Sequence, residues 1–148
     1  MPDLSRLGIV GSRNWPSKGF VFGILHAIVK NHEVEVVVSG GQPKGVDGWA
    51  EDFADAVGLE KSLHLPAHWL DESDPRHKPY AVANYYERNQ LIVDDSTYVL
   101  AFCWKGSSGT MDTVGRCGKD GVPCRVFTED DLATFRKRKQ KCKDSQYS

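Results

Sequence analysis

Residues Glu33 to Val57 read EVEVVVSGGQPKGVDGWAEDFADAV, and this stretch decides the class of fold. From Glu33 to Ser39 it is dense in β-branched valines, and Gly40-Gly41 closes it, which reads as a buried strand ending in a turn. Beyond the turn, Val46, Trp49, Ala50, Phe53, Ala54 and Val57 recur at i, i+3, i+4, i+7, i+8 and i+11. That spacing gathers them on one side of a helix, which Gly58 ends. Strand, small-residue turn and covering helix form the unit from which parallel sheets are built, because consecutive parallel strands need a crossover.

Working outward, the same alternation continues. Leu7 to Gly11 (LGIVG) is apolar on both faces, as a buried parallel strand should be, and Phe20 to Lys30 follows at helical spacing. Glu60 to Leu65 reads as a third strand with a weaker apolar pattern. Pro66 to Pro79 is a long polar loop rich in Pro, His and Asp, a composition and length that mark functional or mobile connections. A helix is expected from Tyr80 to about Asp94, a strand from Tyr98 to Cys103, a helix up to Lys119 and a last strand from Pro123 to Phe127. Thr128-Glu-Asp-Asp131 then starts a short helix with carboxylates where they complement its dipole. The expected architecture is α/β: a single Rossmann-like three-layer domain with a mainly parallel sheet of about five strands. It occupies residues 1–135, and a basic, flexible tail follows at 136–148.

Composition narrows the function. With 19 Lys and Arg against 20 Asp and Glu, the net charge is −1, so no global basic field holds duplex DNA. Apolar runs such as Val99 to Cys103 are too short to span a bilayer, and the N-terminus lacks a basic-then-apolar leader, so a cytoplasmic protein without membrane partners is expected. Cys103, Cys117, Cys124 and Cys142 show no metal-binding spacing and read as structural thiols. His64, His68 and His77 lie in or beside the long loop with Asp71, Glu72 and Asp74, again without a ligand pattern. No metal and no cofactor is expected.

Three strand-to-helix turns carry the chemistry. They are Gly11-Ser12-Arg13, then Ser39-Gly40-Gly41 with Lys44, Gly45 and Asp47, and finally Gly106-Ser107-Ser108-Gly109-Thr110. In a parallel sheet all turns that follow strands lie on one edge. Small residues there let the backbone approach an anion, which the free N–H groups of the next helix attract. Arg13 and Lys44 add charge, and Ser107, Ser108 and Thr110 add hydroxyls. Asp47 is placed to hold a ribose hydroxyl or to order its own loop. The expected ligand is a nucleotide or nucleotide-derived phosphate. Neither the P-loop nor the dinucleotide Gly-x-Gly-x-x-Gly pattern is present. Trp15 and Trp104 each follow a strand, where they can stack on a base or cap the core.

The helix before the fourth strand contains Asn84-Tyr85-Tyr86-Glu87-Arg88-Asn89. Arg88 is four residues after Asn84 and three after Tyr85, which puts a polar–aromatic stripe on one face. The stripe serves either as part of the site, through Arg88 and Asn89, or as a surface salt bridge beside packed tyrosines.

Taken in order, IVGSRNW, VVVSGGQPKGVDGWAEDFA, YYERNQLIVDDSTYVLAF, GSSGTMDTV and GVPCRVF resemble the SLOG superfamily. That group unites the Lonely Guy phosphoribohydrolases, the Rossmann domain of DNA processing protein A, and the YspA/YpsA-related branch, which is the most similar. The resemblance covers about Leu7 to Phe127 and implies a nucleotide-type ligand across the three turns. In the Lonely Guy enzymes an Arg and a Glu assist cleavage of the N-glycosidic bond of a nucleoside 5′-monophosphate. Arg88 matches that Arg, whereas Thr113 stands at the Glu position, leaving Asp112, Asp47 or Glu87 as the carboxylates for an oxocarbenium-like state. Resemblance to DNA processing protein A implies instead single-stranded nucleic acid as the partner. For that role Arg136 to Lys143 adds six cations, in what otherwise is a solvated tail. By the same analogy homo-oligomers are expected, with the Tyr80 to Val93 helix as a contact.

Overall fold

The computed structural model describes residues 2–147, with side chains described for residues 2–141. Five strands form one parallel sheet: β1 (Arg6–Gly11), β2 (Val36–Ser39), β3 (Glu60–Leu63), β4 (Tyr98–Phe102) and β5 (Cys124–Phe127). Their order is β3-β2-β1-β4-β5. The helices between them are α1 (Lys18–Asn31), α2 (Val46–Val57), α3 (Ala83–Asp95) and α4 (Ser108–Asp120), and α5 (Glu129–Tyr147) follows β5.

Alternation along the strands builds two cores. Leu7 and Ile9 of β1, Val37 of β2, and Leu100 and Phe102 of β4 face one side, where they meet Phe20, Leu25, Phe53 and Leu132 from α1, α2 and α5. Val10, Val36, Val38, Val99 and Ala101 face the other, against Ile92 and Val93 of α3 and Cys117 of α4. Both faces being covered explains why these strands are apolar throughout. Phe53 is fully buried, so its truncation to Ala costs about 3–5 kcal/mol.

β1 lies between β2 and β4. From β1 the chain winds outward one way through β2 and β3, then returns to add β4 and β5 on the other side. The reversal leaves a crevice beyond the carboxyl ends of β1 and β4, the place where such sheets bind ligands.

Element boundaries differ from the sequence reading where polar side chains set them. Ser17 caps α1 by accepting from the Phe20 N–H at 3.1 Å, so α1 begins at Lys18 rather than Phe20. β3 ends at Leu63 and is mostly exposed, being a sheet edge, which accounts for its weak apolar pattern. The long loop is ordered locally. A 3₁₀ turn spans Ala67–Trp69, and Asp71 and Asp74 accept from the Ser73 and Arg76 N–H groups at 2.8 Å. The last helix is not short: α5 runs from Glu129 to Tyr147, so no break in secondary structure marks the expected boundary at 135. The side chains of 142–148, Cys142 and Lys143 among them, lie outside the described residues.

Candidate functional site

At the switch point lies an open cleft of about 390 Å³. Each of the three turns contributes to its wall: Gly11, Ser12 and Arg13 after β1, Gln42 and Asp47 after β2, and Ser107, Ser108, Gly109 and Thr110 after β4. From α3 come Val82, Tyr85, Tyr86, Arg88 and Asn89, while the buried Val10, Ile92 and Thr113 complete the lining.

The turns are locked to one another by backbone. The Ser12 N–H donates to the Phe102 carbonyl, and the buried Ser12 Oγ accepts from the Trp104 N–H, both at 3.0 Å. Gly45 has φ +75°, and a Cβ there would come within 2.6 Å of the Arg13 Cα. Only glycine fits that conformation at that distance, so Gly45 is what lets the second turn press against the first.

Side chains connect the turns across the cleft. Arg88 Nη1 donates to the Gly40 carbonyl at 2.5 Å, and its Nε donates to Asn89 Oδ1 at 3.2 Å. Asn89 Nδ2 donates in turn to the Gly109 carbonyl at 3.3 Å and to Asp112 Oδ2 at 3.1 Å. Asp112 also accepts from Arg116 Nε at 2.8 Å. A continuous polar chain thus fixes the turn after β2, helix α3 and the first turn of α4.

Asp47 orders its own loop. Its Oδ2 accepts the Gln42 N–H at 3.4 Å, and burial pushes its carboxyl up to about 6 against the opposing pull of Arg88. Burial also lowers the Arg88 guanidinium from its usual value, and Asp47 opposes that shift. Each charge is therefore costly to bury alone, and the two offset one another beside Gly40.

The N-terminus of α4 opens toward this space through Ser108, Gly109 and Thr110, whereas Gly45 and Val46 at the start of α2 lie outside the lining and only Asp47 of its first turn reaches it. No side chain caps α2 at Gly45 or α4 at Ser107. Their first-turn N–H groups, those of Gly109 and Thr110 included, lack intrahelical partners by construction. Thr110 Oγ donates to Ser107 Oγ at 3.3 Å, which steadies the α4 end. Such an arrangement attracts an anion by dipole and by direct donation, with the exposed Arg13 adding full charge.

Several expected residues do not line the cleft. Ser39 is buried and its Oγ accepts from the Gly41 N–H at 3.4 Å, while Gly40 lies beneath Arg88 and Asp47. Lys44 and Gly106 are exposed outside the lining. Glu87, one residue from Arg88, turns about 100° away along the helix and pairs with Lys78 Nζ at 3.1 Å. Asp112 is engaged by Asn89 and Arg116. Neither of these two carboxylates reaches the cleft, and Thr113, standing where the resemblance puts a Glu, donates to the Gly109 carbonyl at 3.4 Å. Trp15 does not stack on a ligand. It is 2 % exposed among Phe20, Phe102 and Trp104, and it caps the core, with Trp104 packed edge-on against it at 5.9 Å.

The basic run after Phe135 leaves from a different side. Phe135 packs on Phe20 at 5.2 Å on the α1 face, opposite to α3 and α4, and none of the described residues of the run lines the cleft. Sequence reasoning missed Gln42, Val82, Val10 and Ile92 as lining residues. Tyr85 belongs to the polar–aromatic stripe of α3, whereas Tyr86, which also lines the cleft, does not.

The fold defines a Rossmann-like domain with an open cleft at its switch point. No protein-family model matches the chain, and no curated protein does. Among solved structures it is similar to DNA processing protein A from Helicobacter pylori, a structure concerned with that protein's single-stranded DNA binding mode. The TM-score is 0.62 and the identity 22%, over 84% of this chain and 66% of the other. It is also similar to DNA processing protein A (DprA) from Streptococcus pneumoniae, with a TM-score of 0.49 and 16% identity over 88% of this chain and 61% of the other. The chain thus spans less than two thirds of either, and what it shares with the Helicobacter pylori protein at 22% identity is the fold.

Proposed function

We propose that the cleft binds nucleotide units through their phosphates, and that single-stranded nucleic acid is the form in which it takes them. One observation carries this reading: the uncapped N-terminus of α4, Arg13 and Arg88 converge on one open cleft. A phosphate placed there gains several donors without any buried side chain losing its partner. Openness favours a strand that enters and leaves over a ligand that must be enclosed. The fold likeness to a protein that binds single-stranded DNA adds support. On this reading the ordered motifs make the chain a YspA-like member of the SLOG superfamily, working in the cytoplasm, with α3 as a surface for self-association. Hydrolysis of a base–sugar bond is left out, because Glu87 and Asp112 lie outside the cleft lining, and Asp47, which lines it, is engaged by the Gln42 N–H and set against Arg88.

The test is fluorescence anisotropy with labelled oligothymidylate over a salt series. Binding is expected to weaken linearly in log salt, and Arg13→Ala should weaken it while flattening the slope by about 0.7, the value for one phosphate contact on a single strand. Equal binding by the variant at every salt concentration would contradict the reading.

A second reading, a sensor of a free nucleotide, is favoured by the cleft's size, which suits one small ligand. It predicts a thermal shift with a nucleoside monophosphate and no affinity for oligothymidylate.

A further inference from the structure

The loop between β3 and α3 brings four rings together beside the cleft. The His68 ring lies 5.0 Å from Tyr80 and 5.0 Å from Tyr85, edge-on to both, and Trp69 lies 6.1 Å from Tyr85. Both His68 nitrogens are engaged. Asn84 Nδ2 donates to the Pro79 carbonyl at 3.0 Å, which identifies it as the amide nitrogen, and it meets His68 Nδ1 at 3.1 Å. Nδ1 therefore accepts, and Nε2 donates to the Tyr85 hydroxyl at 3.3 Å.

Asn84 is buried, so this bracket is rigid. The Tyr80 ring that His68 meets edge-on is largely uncovered: Tyr80 is 69 % exposed, more than any other exposed large hydrophobic residue described. An exposed aromatic ring with a neighbour on one edge leaves a face on which a base can stack. Two cations lie close to Tyr80 in sequence, in a loop that also carries Asp71, Glu72 and Asp74. Arg76 and Lys78 precede it closely, paired only with the surface carboxylates of Asp74 at 2.8 Å and Glu87 at 3.1 Å, and a polyanion competes readily for such pairs. The ring is also continuous with the cleft, since Tyr85 lines it and Arg88 stands 5.9 Å from the Tyr85 ring.

Resting on the function proposed above, we infer that Tyr80 is a stacking platform for a base of the same strand whose phosphate occupies the cleft. The strand then runs from the N-terminus of α4 across Tyr85 and onto the β3–α3 loop. Two ring-to-ring steps separate Tyr80 from the cleft wall, a span that neighbouring nucleotides of an extended strand cover. Stacking of this kind tolerates any base and adds affinity only for a ligand longer than one nucleotide.

The experiment compares oligothymidylate with thymidine 5′-monophosphate as probes, on wild type, Tyr80→Ala and Tyr80→Phe. Because Tyr80 is exposed, its replacement leaves the fold intact. Tyr80→Ala should bind oligothymidylate about tenfold more weakly, Tyr80→Phe should restore it, and the monophosphate should bind all three alike. Unchanged oligothymidylate affinity in Tyr80→Ala overturns the platform while leaving the cleft reading standing. So does an equal loss for both probes, which would make Tyr80 a support of the cleft. If wild type binds neither probe, the cleft reading fails and the platform falls with it.

Discussion

Arg88 reaches from α3 to donate to the carbonyl of Gly40, at the end of a strand on which it does not itself sit. The contact exists because Gly40 has no side chain. A Cβ there would lie 2.5 Å from Arg88 Nη1 and 2.9 Å from Asp47 Oδ2. Gly40→Ala should therefore expel the guanidinium from its seat and destabilise the fold by about 1–3 kcal/mol. Urea denaturation and oligothymidylate binding should both register the change, and a variant with wild-type values in both would show that Arg88 is not held from below.

Asp47 makes stability depend on pH in an unusual direction. Its carboxyl is raised from 3.8 to about 6 in the folded chain, so between these values the folded state holds the proton more tightly than the unfolded one. Stability from this group is fully present below about pH 4 and is lost as pH rises to about 6, with a magnitude of roughly 3 kcal/mol at most. Glu51, also raised by burial, adds a slope of the same sign, so the informative quantity is the difference between wild type and Asp47→Asn. Denaturant midpoints of the Asn variant should fall less than those of wild type from pH 4 to pH 6. Parallel pH curves would remove Asp47 as the cause.

Asn89 joins Arg88 to the first turn of α4. Asn89→Asp keeps the oxygen that accepts from Arg88 but loses the donors to the Gly109 carbonyl and to Asp112, and it sets two carboxylates side by side. A loss of about 2 kcal/mol is expected. Oligothymidylate affinity should fall as well, since negative charge enters the cleft. Thermal melts and anisotropy measure the two effects separately, and intact affinity in a destabilised variant would confine Asn89 to a structural role.

How far the sequence reveals this molecule depends on how strongly each residue is constrained. β1, β2 and β4 are buried on both faces, so their apolar runs could be read directly, whereas β3 lies at the edge and shows little pattern. The three turns announced themselves by Gly and Ser, and the parallel sheet put them on one edge. What the residues alone did not disclose is direction. Arg88 and Glu87 are adjacent and both charged, yet one helical step sends the first to the cleft and the second to Lys78. Lys44 sits within a glycine-rich turn and still faces solvent. Trp15 follows a strand as a base-stacking residue would, but Phe20 and Phe102 enclose it. The extent of α5 was hidden because a run of like charges has no apolar stripe to mark a helix.

The most direct test is to follow the backbone amide resonances of the chain during titration with oligothymidylate. Phosphate held by the main chain at the switch point should move the amides of Ser108, Gly109 and Thr110, at the N-terminus of α4, together and at a single apparent affinity. Shifts confined to the basic residues of α5, with those three amides unmoved, would show that the strand binds the terminal helix and that the cleft is not its site.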